Sequence, residues 1–146
     1  ISKIKKVDGI MALHSFALQQ AIFTALDGAT INDVDGNAIT GVFDDVPENT
    51  AYPYVVIGEE TATNIDTKDK EAHEHTLTIH VWSQYRGRKE IKNIMSSVYT
   101  TLHNASITVS GASLVNIRHE FENTLTEADG ITRHGVMRFR AVVFDS

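Results

Sequence analysis

The sequence predicts an α+β fold, a mainly antiparallel β-sheet with two principal helices packed on one face. Three observations carry this. Residues 87–103 place Ile91, Ile94, Met95, Val98 and Leu102 on a single stripe at helical spacing. Residues 74–83 alternate, with Leu77, Ile79 and Val81 on one side and Thr76, Thr78, His80 and Trp82 on the other, as a strand requires. The order is helix, strands, helix, strands, and the strands are joined by hairpins. That order makes the sheet antiparallel and leaves the helices to cover one face.

In chain order, residues 12–26 read as the first helix, with Leu18, Ala21, Ile22, Ala25 and Leu26 on one wide face. Phe16 and Phe23, seven apart, form a second apolar side, open to a covering loop or to another chain. Asp27-Gly28 ends the helix. Residues 29–52 are turn-rich, Asp35-Gly36-Asn37 giving the sharpest turn signal. Val42-Phe43 is expected as a short strand, and Pro47 and Pro53 bracket a loop. Residues 54–62 read as a strand that pairs with 74–83, and the tip between them, 63–73, is long, polar and of mixed charge. In the 87–103 helix Glu90 lies in the first turn and His103 in the last, both favourable to the helix dipole. Ile107-Thr108-Val109 reads as a short strand.

Residues 114–125 and 131–144 form the last hairpin, turning at Asp129-Gly130. Val115, Ile117 and Phe121 share odd parity with Met137, Phe139 and Ala141, so a two-residue turn would split the apolar face. An odd-numbered loop, such as 128–130, or a bulge is therefore expected. The three-residue loop would set Arg138 opposite Glu120. The expected core comprises Leu18, Ile22, Leu77, Ile79, Val81, Ile94, Val98, Phe121 and Phe139.

The 146 residues are expected to hold one domain, 11–146, large enough to bury about 70% of the surface of its unfolded chain. Residues 1–10 precede the first Met and are set apart as an N-terminal tail, upstream or added. There is no cysteine, which excludes disulfides, thiolate metal sites and a cysteine nucleophile. Net charge is −6, and the first ten residues are locally +2, so the body is more acidic than the whole. An acidic body repels phosphate backbones, and sequence-specific nucleic-acid binding is not expected. No run approaches the about 20 apolar residues of a membrane span. The basic start is followed by Asp8-Gly9 rather than an apolar stretch, so no signal peptide is read there.

No motif supplies an active site. His73-Glu74-His75 sets two imidazoles on one side of a strand, but a third ligand is missing because His80 has the opposite parity. These histidines are therefore expected to be solvated hairpin residues. His119-Glu120-Phe121-Glu122-Asn123 lacks the second histidine of the zincin helix motif and reads as a strand. In Asp33-Val34-Asp35-Gly36-Asn37 the glycine comes too early for a calcium loop. Gly87-Arg88-Lys89 lacks the pattern of a phosphate loop, and Ser15, Ser83, Ser96 and Ser97 sit in no nucleophile elbow. Neither a metal nor a cofactor is expected, and the chain is not read as an enzyme. Arg86, Arg88, Lys89 and Lys92 form a small basic cluster at a helix start, with Trp82 just before it on the non-core face. An aromatic beside arginines is a fair interface anchor.

The pattern as a whole resembles the tail-completion (tail-terminator, head–tail joining) proteins of long-tailed phages, prophages and gene transfer agents. The resemblance is carried by AYPYVVIGEETATN (51–64), EHTLTIHVWSQYRGRKEIKNIM (74–95), LVNIRHEFEN (114–123) and DGITRHGVMRFRAVV (129–143). ALQQAIFTAL (17–26) and FDDVP (43–47) fit the same order. It implies a structural protein of the virion tail or neck, assembled in the bacterial cytoplasm. Such a protein forms a ring, commonly a hexamer, at the head-proximal end of the tail tube. Its partners would be further copies of itself, the tail tube protein and a head connector or stopper protein, with no membrane. The residues expected to make these contacts are Phe16, Phe23, Asp66, Lys68, Asp69, Lys70, Trp82, Arg86 and Arg88. The tip of the 63–73 hairpin and the second side of the first helix would form the contact between copies. The competing reading is a small-molecule-binding or histidine-dependent hydrolytic α+β domain.

Overall fold

The computed structural model describes residues 14–66, 68–69 and 71–145. The tail 1–10, the first two residues of the expected 12–26 helix, and Lys70 lie outside them. Helix α1 spans Ser15–Asp27, strand β1 Val42–Phe43, β2 Tyr54–Asn64, β3 Ala72–Ser83, helix α2 Lys89–Leu102, β4 Ala112–Thr126 and β5 Arg133–Asp145. The strands form one sheet in the order β1-β2-β3-β5-β4. The short β1 runs parallel to β2, and every other pairing is antiparallel.

The centre of the sheet is regular. β3 and β5 pair from Ala72 with Phe144 to Ser83 with Arg133 without a bulge. Leu77, Ile79 and Val81 of β3 and Met137, Phe139, Ala141 and Val143 of β5 are all buried on one face. Helix α2 lies on that face across β3, β5 and β4, with Ile91, Ile94, Met95, Val98 and Leu102 turned inward. It sits so close that a Cβ on Gly135 would come within 2.6 Å of Met95 Sδ. Helix α1 covers β1 and β2 and touches α2, burying Leu18, Ala21, Ile22 and Leu26. Burying each such aliphatic side chain stabilises the fold by about 1.5–3 kcal/mol. The expected α+β architecture, and every expected core residue except Phe121, hold.

The outer strands bend the simple alternation. β4 carries two bulges, between Leu114 and Asn116 and between His119 and Phe121. Each adds one residue and flips the parity of the residues after it. Ile117 stays in the core, but Val115 is 51% exposed and Phe121 43% exposed. Phe121 thus leaves the expected core, and the Arg138 guanidinium lies over its ring at 5.0 Å. The expected bulge is present, but the three-residue loop is not. The chain turns through residues 127–132 instead. There Asp129 Oδ1 accepts the N–H groups of Ile131 and Thr132, both at 2.8 Å. Its Oδ2 accepts the Thr132 hydroxyl at 2.6 Å. These bonds favour the charged carboxylate and hold its pKa below the usual range.

β2 bulges as well, between Ile57 and Glu60. Gly58 is needed there, because a Cβ would lie 2.6 Å from the His80 ring. The strand expected at Ile107-Thr108-Val109 does not form. The outer edge of β4 is already occupied: the Asn104 N–H donates to Ile117 O at 2.8 Å, and the His119 N–H donates to His103 Nδ1 at 3.0 Å. His103 is therefore the C-cap of α2, its Nδ1 accepting a hydrogen bond from β4, and not a residue of the last turn. Val109 is buried as this segment crosses the core.

Candidate functional site

The exposed chemistry falls into four places. The first is the outer side of α1. Phe16 is 68% exposed, and Phe23 is also exposed, lining a recess with Gln19, Gln20, Thr24, Asp44 and Ile57. Among the described residues no loop covers Phe16. The amphipathic helix thus buries one face and presents a second apolar stripe, as its spacing predicts.

The second is the hairpin tip. The strands claim more of it than expected, with β2 running to Asn64 and β3 beginning at Ala72. Asp66 is exposed and ties the turn: its Oδ1 accepts the Ala72 N–H at 2.9 Å, and its own N–H donates to Asn64 Oδ1 at 2.8 Å. Lys68 and Asp69 remain exposed.

The third is the face of the sheet opposite the helices, near the start of α2. Tyr54 pairs across from Trp82, and Trp82 across from His134. The Trp82 ring stacks on His134 with centroids 3.8 Å apart. Glu59 accepts from His80 Nε2–H at 2.8 Å, which in the neutral ring leaves His80 Nδ1 to accept from His134 Nε2–H at 2.7 Å. Burial and the neighbouring His80 push the His134 pKa below its ordinary value. The same network, chiefly the His80 hydrogen bond, lowers that of Glu59. Tyr54, buried and hydrogen-bonded to Tyr52, is pushed up to about 12. Sequence parity placed Trp82 on this face correctly, but gave no hint of its stacking partner.

The fourth is the loop into α2. Arg86, Arg88, Lys89 and Lys92 are all exposed, and none has an ion-pair partner among the described residues. Glu90 does not share their surface. It is buried, accepting the Ser83 hydroxyl at 2.6 Å and the Val34 N–H at 3.3 Å, so it fixes the loop rather than serving the dipole alone.

The structure corrects the reading of His73 and His75. Both are buried on the core face instead of solvated. They share odd parity with Leu77 and Ile79, and the β2 bulge rotates Glu60 onto the same side, 2.6 Å from His75 Nδ1. His73 Nδ1 and His75 Nε2 have no hydrogen-bond partner among the described residues. Among the described residues no group of three or more His, Cys, Asp or Glu is arranged to hold a metal ion. A groove of about 540 Å³ between α1 and residues 106–110 is lined by uncharged side chains. No helix among the described residues is long and apolar enough to cross a membrane.

Comparison with known proteins places these surfaces in a context. The family described as tail completion protein gp17 matches residues 20–144. The tail completion protein gp17 of Bacillus phage SPP1 is 27% identical over 124 residues, covering 82% of this chain and 92% of that protein. Among solved structures, a chain from the virion of a native gene transfer agent particle matches with a TM-score of 0.76 and 25% identity. That match covers 87% of this chain and 94% of the other.

Proposed function

This chain belongs to the tail completion protein gp17 family, and from that membership we propose how it acts within a phage-like particle. Its role is structural, in tail completion. Copies form a ring, a hexamer, at the head-proximal end of the tail tube. The ring stops tube polymerisation and presents a surface to the head connector or stopper protein. The observation that carries this reading is the match over nearly the whole described chain to a tail completion family and to a chain of an assembled particle.

The surfaces divide by chemistry. The Phe16 and Phe23 side of α1 supplies the desolvated part of a contact between copies, with the exposed Lys68 and Asp69 of the tip as its polar rim. Trp82 and Arg86 face partners other than the chain itself, where an aromatic anchor near a guanidinium group with no ion-pair partner among the described residues suits an acidic surface. The protein has no turnover of its own. Among the described residues none of the histidine hydrogen bonds joins a Ser or Thr hydroxyl, the pairing a serine or threonine nucleophile needs.

The test is electron microscopy of particles assembled with and without this protein. Its removal should leave heads unjoined and tails of irregular length. Joined particles with tails of normal length in its absence would overturn the reading.

A further inference from the structure

The charges of this chain are split along its length. Residues 14–66 contain nine Asp or Glu and neither Lys nor Arg, whereas residues 67–146 contain ten Lys or Arg and nine Asp or Glu. The fold turns this split into a spatial one. Residues 14–66 build α1, β1 and β2, one flank of the sheet, while α2, β5 and β4 make the other and β3 runs between them.

Each flank carries an exposed stripe. On α1, Phe16, Gln20, Phe23 and Asp27 follow i, i+4, i+7 and i+11, and all are exposed. Asp44 lines the recess beside Phe23, and Asp45 next to it is exposed too. On α2, Arg88, Lys92 and Tyr99 stand at i, i+4 and i+11 along the border of the buried face, with Arg88 as the N-terminal cap and the buried Met95 at i+7. Tyr99 stands edge-on to His119 of β4 at 5.2 Å, which fixes this stripe on the β4 side. Among the described residues Asp44, Asp45, Arg88 and Lys92 have no ion-pair partner.

We propose that the acidic α1–β1 flank of one copy seats on the α2 side of the next, with Phe16 and Phe23 against Tyr99, and Asp44 and Asp45 beside Arg88 and Lys92 at the basic start of α2. The partner is a second copy because the two surfaces complement each other in sign and each supplies exposed aromatic area. They lie toward opposite edges of one sheet, so the contact joins two different patches and repeats head to tail, the arrangement that closes into a ring. This inference rests on the ring reading above and assigns the surface that receives the α1 stripe.

A charge exchange tests it. Asp44→Lys with Asp45→Lys, or Arg88→Glu with Lys92→Glu, should each lower the yield of completed tails by about tenfold or more through like-charge opposition. Combining all four changes in one chain should restore the yield. The melting temperature of each variant in isolation serves as the folding control and should match the parent. Rings that form equally well with either reversal, or a combined variant no better than the singles, would overturn the contact while leaving the ring intact. A parent chain that forms no ring even in assembled particles would overturn the ring reading itself. Because the chain has no cysteine, Asp44→Cys and Lys92→Cys give an independent check with a short thiol crosslinker. Placed together in one chain they should yield a ladder of oligomers, and placed singly in two mixed chains they should stop at the dimer. Crosslinking by either single variant alone would mean like patches meet, which also overturns the proposal.

Discussion

β3 and β4 are both long, amphipathic strands of the same sheet, yet one obeys its alternation throughout and the other does not. β3 is hydrogen-bonded on both sides, by β2 and β5, and its odd residues from His73 to Ser83 are all buried. β4 has a strand on one side alone and bulges twice, so that Ile117 is the one fully buried residue of its fifteen. A strand held on both edges cannot slip without breaking two ladders, whereas an edge strand can add a residue and re-aim its side chains. The second edge of β4 is not left bare. The turn after α2 hydrogen-bonds to it at Ile117 and His119, which protects an edge that would otherwise invite unplanned pairing.

The comparison can be broken most directly by truncation. Ile79→Ala, at a fully buried position in β3, should cost about 2–5 kcal/mol, and Ile94→Ala above it on α2 a similar amount. Phe121→Ala on β4 should cost less than about 1 kcal/mol, the value of an exposed ring under a guanidinium. Urea unfolding measures all three, and an equal loss at Ile79 and Phe121 would remove the distinction. Gly135→Ala probes the closeness of α2 to the central pair. The new methyl meets Met95 Sδ, and overpacking of this kind costs about 1–3 kcal/mol. A neutral result would mean that Met95 moves aside freely.

The smallest expected effect is a pH dependence at the sheet face opposite the helices. The folded pKa of His134 is depressed, mainly by burial, so the unfolded chain binds its proton first as pH falls. The stability it allows is complete above the ordinary histidine pKa of about 6.5 and declines as pH drops from there through the folded value. Glu59, also depressed, loses its contribution lower still, below the usual carboxylate range. Melting temperatures taken from pH 7.5 downward should fall, and His134→Gln should flatten the part of the slope nearest neutrality. An unchanged slope in that variant would place the acid sensitivity elsewhere.

How much of this was legible in the sequence depends on where the determining interaction lies. The two helices, the β3 alternation and the need for a bulge in the last hairpin are written in local periodicity, because burial on one face selects apolar residues at fixed spacing. The exposed aromatic pair Phe16 and Phe23 was readable for the same reason, and so was Trp82 on the face away from the core. The same rule also carried the burial of His73 and His75, which share parity with Leu77. Their polarity concealed it, and the carboxylate that accompanies His75 reaches it only because β2 bulges at Gly58 and Glu59. The number and positions of the β4 bulges, the loss of Phe121 from the core and the failure of residues 107–109 to pair were decided by tertiary structure. Each depends on which edge of which strand is already occupied, and that is a property of the assembled sheet. Sequence by itself determined what each element would bury; the fold decided which neighbours would be there to bury it, because strand partners and helix crossings join residues that lie far apart in the chain.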